Sequence, residues 1–325
     1  MPSLLDIPNV VMNLISEKLD YKSVQNLRKT CRQLLEHLNN SNPQSKLKFI
    51  HISVESDSVG LTLSADGEEW TKIIYEKQEN GKCLLQWDNF EKETILENSN
   101  FSDVALRDIE IAMDSKKLGI LNKFELDLNF WHDNGFPEKL RNNLSRRCQV
   151  KTKIFYIFFQ SLDQVQGFLP LIDPYHLEEL DFYAQPFGGQ RFFDLSEIIK
   201  IEHWKRAKRL HLNYFRTEIS LENLLHFENV MLQVEKVSAD TIMILKEKFL
   251  DLSHLQRYAY YFDKVFSDNQ KLIDRFGDPH LKYKDSEWIF GVKNSDKVIT
   301  LFLGPHVFHF ERMDKEKIPK NVKIL

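Results

Sequence analysis

Residues 7–38 read IPNVVMNLISEKLDYKSVQNLRKTCRQLLEHL, and this stretch decides how the chain begins. Val11, Ile15 and Leu19 recur every fourth residue, which is the spacing of one helix face. Pro8 suits the first turn of that helix, because the first backbone N–H groups of a helix have no partner within it. Asp6 and Asp20 are expected to cap the first and second helices. The remaining apolar positions predict a second and a third helix: Val24, Leu27, Cys31, Leu34, Leu35 and Leu38.

Three helices of this size cannot hide all these apolar side chains among themselves. A unit of about forty residues buries too small a fraction of its surface to be stable without help. We therefore expect the N-terminal helices to complete their core against another polypeptide.

The composition is that of a folded chain with a small net charge. The chain has 325 residues, 42% of them hydrophobic, with 44 Lys and Arg against 48 Asp and Glu. Mixed charges and a net charge of -4 predict neither a nucleic-acid nor a membrane partner. The first residues carry no basic segment before an apolar one, and no run of about 18 apolar residues occurs. We expect a soluble, unsecreted protein of the cytoplasm, the nucleus or both.

Residues 46–97 change to a period of two. The segments KFIHISV, VGLTLSA, TKIIYEK and KCLLQW are separated by Asp66-Gly67 and Asn80-Gly81. Asn-Gly predicts a tight hairpin, because both of its residues readily adopt positive φ. These strands predict an antiparallel sheet, followed by a helix from Asp103 to Lys117.

Beyond residue 120 an apolar-x-x-apolar-x-apolar strand pattern recurs at intervals of roughly 20 to 30 residues. Its copies are Leu121-Phe124-Leu126, Leu177-Leu180-Phe182, Ala207-Leu210-Leu212, Phe227-Val230-Leu232 and Leu255-Tyr258-Tyr260, with a degenerate copy at Val150-Lys153-Phe155. Helices are predicted between the strands, one near Leu195 to Trp204 and one capped by Ser238 with Ile242, Leu245, Phe249 and Leu250 on its apolar face. The pattern predicts an irregular leucine-rich-repeat-like solenoid.

The last strands, SEWIFGV and VITLFLG, flank Asn294-Ser295-Asp296 and are predicted to pair. The fold class is therefore α+β: a three-helix module, an antiparallel β module, an α/β solenoid and a C-terminal strand pair. We place the domains at 1–44, 45–120, 121–280 and 281–325.

The N-terminal string resembles the F-box at nearly every patterned position. Ile7-Pro8 stands where the family has Leu-Pro, and Leu34 stands where an aromatic residue is frequent. The resemblance implies that these helices bind a Skp-type adaptor and, through it, a cullin ligase core. The residues expected to carry that docking are Ile7, Pro8, Val11, Ile15, Leu19, Val24, Leu27 and Cys31.

A second resemblance covers residues 140–263, which look like the FTH domain that follows the F-box in a nematode-expanded family. Its most characteristic strings here are EHWKRAK, residues 202–208, and LHFE, residues 225–228. Together the two resemblances imply a non-catalytic substrate-recognition subunit of an SCF-type ubiquitin ligase. An alternative is an F-box scaffold or inhibitor that binds an adaptor, or another protein, without assembling a ligase.

Contact with an unknown protein substrate is expected at outward-facing strand positions. The candidates are Glu179, Asp181, Arg209, His211 and Gln233.

Other kinds of site have weaker support in the sequence. Cys31, Cys83 and Cys148 are too widely spaced for a disulfide framework or a zinc site, and no His pair has metal-ligand spacing, so neither a metal nor a cofactor is expected. Cys148 with His132 and Asp133 would be needed for a hydrolase, but no supporting signature surrounds them. The basic residues Lys205, Arg206, Lys208 and Arg209 fit either an acidic ligand or a helix end. The aromatic run at 155–159 is interpreted as a buried strand rather than a nucleic-acid platform.

Overall fold

The computed structural model describes residues 7–19, 21–41, 46–65, 70–87, 92–114, 118–128, 135–146, 149–184, 191–282, 285–320 and 322–325. The chain divides into two compact units, Met1–Leu177 and Glu178–Leu325. Both are mixed α/β, and each is built on an open sheet. Among the described residues, no helix has the length and apolar character needed to span a bilayer.

The first unit begins with three helices, α1 (Asn9–Lys18), α2 (Tyr21–Thr30) and α3 (Arg32–Ser41). Pro8 occupies the N-cap position of α1. The expected caps Asp6 and Asp20 lie outside the described residues. Helices α2 and α3 pack against each other.

Five antiparallel strands follow in chain order: β1 (Leu47–Val54), β2 (Ser58–Ala65), β3 (Thr71–Gln78), β4 (Lys82–Trp87) and β5 (Lys92–Leu96). The first four are the predicted strands. Asn80 and Gly81 have φ of 59° and 70°, which confirms the positive φ expected of this turn. Asp66-Gly67 lies outside the described residues. Strand β5 was not predicted, because four of its five residues are exposed and leave no alternating pattern.

Helix α4 (Phe101–Ala112) packs on β2 and β3. The Asn100 side chain caps it by accepting a hydrogen bond from the Ser102 amide at 2.9 Å. The helix begins before the predicted Asp103, and residues 115–117 lie outside the described part of the chain. The Tyr75 hydroxyl donates to Asp108 at 2.6 Å and ties α4 to β3.

Two parallel strands extend the same sheet beyond β1. Strand β6 (Leu121–Asp127) pairs with β1, and β7 (Thr152–Phe159) pairs with β6, giving the order β7-β6-β1-β2-β3-β4-β5. Helix α5 (Phe136–Ser145) lies between β6 and β7 in the chain, and α6 (Leu162–Phe168) follows β7. The pairing of β1 with β6 places residues 47–54 and 121–127 in one sheet.

The register of β7 corrects the degenerate copy of the strand pattern. Leu121 pairs with Thr152 and Phe124 with Phe155, so the inward positions of this copy begin at Thr152. Lys153, which was assigned to an inward position, is exposed. Thr152 is fully buried, and its hydroxyl is satisfied there because it donates to the carbonyl oxygen of Ile154 at 2.9 Å.

The second unit contains four adjacent parallel strands, β8 (Glu179–Ala184), β10 (Arg209–Arg216), β11 (Asn229–Val234) and β12 (Arg257–Phe262). The two-residue strand β9 (Arg191–Phe192) pairs with the end of β10. The repeated pattern lies in register across the four strands, where Leu180, Leu210, Val230 and Tyr258 form one buried row.

The described residues of this unit include the helices α7 (Glu202–Arg206), α8 (Ala239–Asp251) and α9 (Asn269–Phe276). The prediction for α8 is confirmed, since the Ser238 hydroxyl accepts from the Thr241 amide at 3.2 Å. The single helix predicted from Leu195 to Trp204 is wrong. Ile201, with φ -83° and ψ 156°, is extended and separates a 3-10 turn (Ile198–Lys200) from α7.

The C-terminal strands are β13 (His280–Lys282), β14 (Asp285–Gly291), β15 (Lys297–Leu303) and β16 (Val307–Asp314). They continue the sheet from β12 in the antiparallel order β12-β16-β15-β14-β13. Strands β14 and β15 are the predicted pair. Strand β16 was not predicted from the sequence. It pairs with both β15 and β12 and so joins the predicted pair to the parallel strands.

Candidate protein-binding surfaces

The N-terminal helices have a small buried interior. Met12 and Ser16 of α1, with Leu34 and Leu38 of α3, are at most 4% exposed. Met12 and Ser16 are four residues apart and therefore share one face of α1. This face is the one that the chain itself covers.

The eight predicted docking residues lie outside that interior. Val11 is 44% exposed and Pro8 is exposed, while the other six are half-buried: Ile7, Ile15, Leu19, Val24, Leu27 and Cys31. None of the eight is fully covered by the described part of the chain.

Among the side chains of these helices that the structure describes, the most exposed apolar ones form the α1 patch, which we define as Val10, Val11 and Leu14. Their exposed fractions are 70%, 44% and 55%. The sequence reading included Val11 and missed the other two, because it followed a single four-residue stripe. Val10 and Leu14 are also spaced by four and lie together on the helix surface. Helix α1 therefore buries one face, which contains Met12 and Ser16, and leaves an apolar patch on another.

The outward face of β8, β10 and β11 holds the residues predicted to contact a substrate. Arg209 pairs across strands with Glu179, and His211 with Asp181. Alternate residues of a strand point to the same side, so these four side chains form one patch opposite the buried row. All four are half-buried.

Hydrogen bonds and ion pairs connect this patch. Arg209 Nε donates to Glu179 Oε2 at 2.5 Å, and Arg209 Nη2 lies 3.6 Å from Glu178 Oε2. The side-chain amide of Asn213 donates to Asp181 Oδ1 at 3.1 Å. His211 Nδ1 is 3.6 Å from Glu179 Oε1.

Gln233 belongs to a different part of the face. Its amide donates to Asp263 Oδ1 at 3.0 Å, and Asp263 Oδ2 lies 2.9 Å from Arg216 Nε. The pairing of β10 with β11 shifts between His211 and Arg216, which places Arg216 rather than an earlier residue opposite Gln233. The structure thus brings together four of the five predicted substrate residues.

Two tyrosines at the end of this face were not found by sequence reasoning. The rings of Tyr183 and Tyr214 lie 4.6 Å apart between centroids, and Tyr214 is 50% exposed. Burial, followed by a hydrogen bond with Tyr214, raises the pKa of Tyr183 to about 12. Tyr214 has φ 63°, a conformation that is unusual for a bulky side chain. The local sequence does not predict this positive φ, which lies within the register shift between His211 and Arg216.

The two characteristic strings 202–208 and 225–228 have structural roles. Trp204 Nε1 donates to the carbonyl oxygen of Asn223 at 3.0 Å, and its ring packs edge-on against Phe227 at 5.3 Å. His226 Nε2 donates to the carbonyl oxygen of Trp204 at 2.8 Å. These contacts fasten the two strings to each other.

Three of the four residues of the basic cluster, Lys205, Arg206 and Arg209, pair with acidic side chains. Glu202 accepts from Arg206 at 3.3 Å and lies 3.6 Å from Lys205, while Arg209 is held by Glu178 and Glu179. The structure therefore favours the helix-end interpretation for Lys205 and Arg206, which lie in the last turn of α7, while Arg209 belongs to β10.

The hydrolase candidates Cys148, His132 and Asp133 lie outside the described residues. Cys83 is buried, and this burial raises the pKa of its thiol to about 11. A thiol with so high a pKa is a poor nucleophile at neutral pH.

In the aromatic run at 155–159, Phe155 and Phe159 are fully buried and Tyr156 and Phe158 are half-buried.

A cleft of about 350 Å³ opens in the first unit beside the carboxyl ends of β1, β6 and β7. Its polar side chains already make structural contacts. Gln164 Oε1 accepts from the Gln160 amide at 2.8 Å in the cap of α6, and Arg141 pairs with Glu138 at 2.6 Å. We assign this cleft no ligand.

Comparison with known families agrees with both resemblances. The family model described as F-box domain matches residues 4–46, and the one described as FTH domain matches residues 134–280. No curated protein and no solved structure matches the chain. An F-box marks a class of chains that take part in protein–protein interaction, generally by binding Skp1-type adaptors. The chain thus matches an F-box domain followed by an FTH domain, which is the arrangement of an F-box/FTH-domain protein.

Proposed function

We propose that the chain is the substrate-recognition subunit of an SCF-type cullin–RING ubiquitin ligase. In this proposal the F-box binds a Skp-type adaptor, and the adaptor connects the chain to the cullin. The second unit binds a protein substrate and presents its lysines to the conjugating enzyme. The chain itself makes and breaks no covalent bond and works in the cytoplasm, the nucleus or both.

The observation that carries the proposal is the α1 patch. Three large apolar side chains remain exposed on a helix whose opposite face is already buried in the chain. Exposed apolar residues at helical spacing are the usual anchors of helix-in-groove recognition. We propose that Val10 and Leu14 act in docking with the eight residues Ile7, Pro8, Val11, Ile15, Leu19, Val24, Leu27 and Cys31.

For the substrate we propose the outward face of the parallel strands. Glu179, Asp181, Arg209 and His211 form one connected polar patch, and Gln233 forms a second contact point with Asp263. The four parallel strands with their in-register apolar row support a leucine-rich-repeat-like solenoid, whose side chains on that face are free to vary without disturbing the core.

Adaptor binding by purified full-length variants tests the docking proposal. Leu14→Asp, Ile15→Asp and Leu27→Asp are each expected to weaken binding by about 2 kcal/mol or more, roughly 30-fold, as for a hot-spot residue. Ile95→Asp is the matched control, because Ile95 is 56% exposed but lies on β5 outside the F-box. Binding that survives all three F-box substitutions, in variants with unchanged circular dichroism, would disprove the docking.

Co-purification with the cullin separates the two functions that an F-box allows. A ligase subunit brings down adaptor and cullin together, and the cullin is lost with Leu14→Asp. A scaffold or inhibitor brings down the adaptor without the cullin. The second result would replace the ligase proposal with the alternative.

A further inference from the structure

We infer that Glu179, Asp181 and His211 form a binding site for a divalent metal ion of the zinc class. Each offers one ligand atom, and these atoms all lie within 4.8 Å of one another. Glu179 and Asp181 are alternate residues of β8, and His211 lies opposite Asp181 on β10. The site follows from the strand pairing and is independent of the proposed ligase function.

The distance between His211 and Glu179 fits an ion better than a direct contact. Nδ1 and Oε1 are 3.6 Å apart, which is too long for a hydrogen bond. Two ligands of a tetrahedral zinc ion, each bonded at about 2.0 to 2.1 Å, lie roughly 3.3 Å from each other. A shift of a few tenths of an ångström would therefore let both atoms bind one ion.

Neighbouring side chains hold the two carboxylates in place. Arg209 donates to Oε2 of Glu179, which leaves Oε1 directed towards His211. Asn213 donates to Oδ1 of Asp181 at 3.1 Å. Carboxylates that bind metals are commonly oriented by such hydrogen bonds to the surrounding protein. The arrangement thus has ligands and the residues that orient them.

The charge of this patch favours a cation. Glu178, Glu179 and Asp181 carry three negative charges, and the Arg209 guanidinium that contacts two of them carries one positive charge. A divalent ion would reduce the repulsion between the carboxylates.

The donor set selects the class of ion. One imidazole nitrogen with two carboxylate oxygens suits zinc and similar first-row ions better than calcium or magnesium, which prefer oxygen ligands only. Three protein ligands leave at least one coordination position open. Because all three residues are half-buried on the outward face, that position is accessible to water or to a side chain of a bound protein.

Metal titration of the full-length chain, first stripped with a chelator, tests the site. Zn²⁺ is followed by isothermal calorimetry and Co²⁺ by its visible d–d absorption, which reports coordination directly. We expect one ion per chain. His211→Ala and the nearly isosteric Asp181→Asn should each weaken binding by about 100-fold or more, and Asn213→Ala by about tenfold, as for a residue that orients a ligand.

His176→Ala is the matched control. His176 Nδ1 lies 3.0 Å from Asp173 Oδ2, which makes a His–carboxylate pair without belonging to the three-ligand cluster. This variant should bind the metal as the wild type does. Absence of metal binding in the wild type overturns the inference, as does equal affinity in the wild type and both ligand variants. Thermal unfolding without metal verifies that each variant is folded.

Discussion

Arg312 Nε donates a hydrogen bond to the carbonyl oxygen of Leu255 at 3.0 Å. Nη2 of the same guanidinium donates to the carbonyl oxygens of Phe249 and Leu252. The last carbonyls of a helix have no partner within it, so Arg312 satisfies the C-terminal end of α8 from strand β16. Burial lowers the pKa of Arg312, but an arginine remains charged at neutral pH. One side chain thus fastens α8 to the C-terminal strands.

Replacing Arg312 should therefore destabilise the second unit. Arg312→Met removes the donors and leaves the carbonyls of Phe249, Leu252 and Leu255 without them, which should lower the free energy of unfolding by about 2 kcal/mol. Urea unfolding followed by circular dichroism measures the change. Arg257→Met is the control, because Arg257 is exposed on β12. Equal losses in the two variants would show that Arg312 has no special role.

Two leucines of α3 test the buried interior assigned to the F-box helices. Leu38 is fully buried and Leu35 is 39% exposed, and both belong to α3. Leu38→Ala should lower local stability by about 2 to 4 kcal/mol through the cavity it leaves. Leu35→Ala should change it by less than about 1 kcal/mol. Hydrogen exchange of the α3 amides gives both values, and similar exchange rates in the two variants would contradict the assigned interior.

Trp204 is expected to be the most sensitive position of the 202–208 string. It is 1% exposed, donates to Asn223 and packs edge-on against Phe227. Trp204→Ala should lower the free energy of unfolding by about 3 to 5 kcal/mol. Trp204→Phe keeps most of the ring packing and loses the hydrogen bond, so it should cost about 1 to 2 kcal/mol. Urea unfolding distinguishes them, and equal costs would mean that ring packing contributes little.

The strand positions could be predicted because each copy of the apolar pattern marks the inward residues of a strand. This is why Leu180, Leu210 and Val230 lie in register. The copy in β7 was misplaced because its first inward residue is Thr152, whose hydroxyl is satisfied by the Ile154 carbonyl. A pattern built on apolar residues does not detect a polar side chain that makes its own hydrogen bond.

The polar patch was predictable for the same reason, since Glu179 and Asp181 alternate with inward residues and Arg209 and His211 do so on the next strand. The position of Gln233 depends on the irregularity after His211, which strand alternation cannot reveal. A metal site was not expected from the sequence, because His211 lies some thirty residues beyond Glu179 and Asp181 and meets them only through strand pairing.

Three histidines with lowered pKa values are expected to make the protein less stable at acidic pH. Burial lowers the pKa of His226 below its ordinary 6.5, and the hydrogen bond to the Trp204 carbonyl opposes this shift only in part. Burial also lowers the pKa of His51 and of His309. As the pH falls through about 6.5, the unfolded chain takes up these protons before the folded chain does. The free energy of unfolding should therefore fall from pH 7.5 to pH 5.5.

His226→Gln tests how much of that dependence comes from one residue. Glutamine does not titrate and its amide is able to donate to a carbonyl, so the loss of stability between pH 7.5 and pH 5.5 should be smaller in this variant. Part of the slope should remain, because His51 and His309 still titrate. Urea unfolding at several pH values measures it, with the exposed His280→Gln as the control. The assigned role of His226 is wrong if both variants show the wild-type slope.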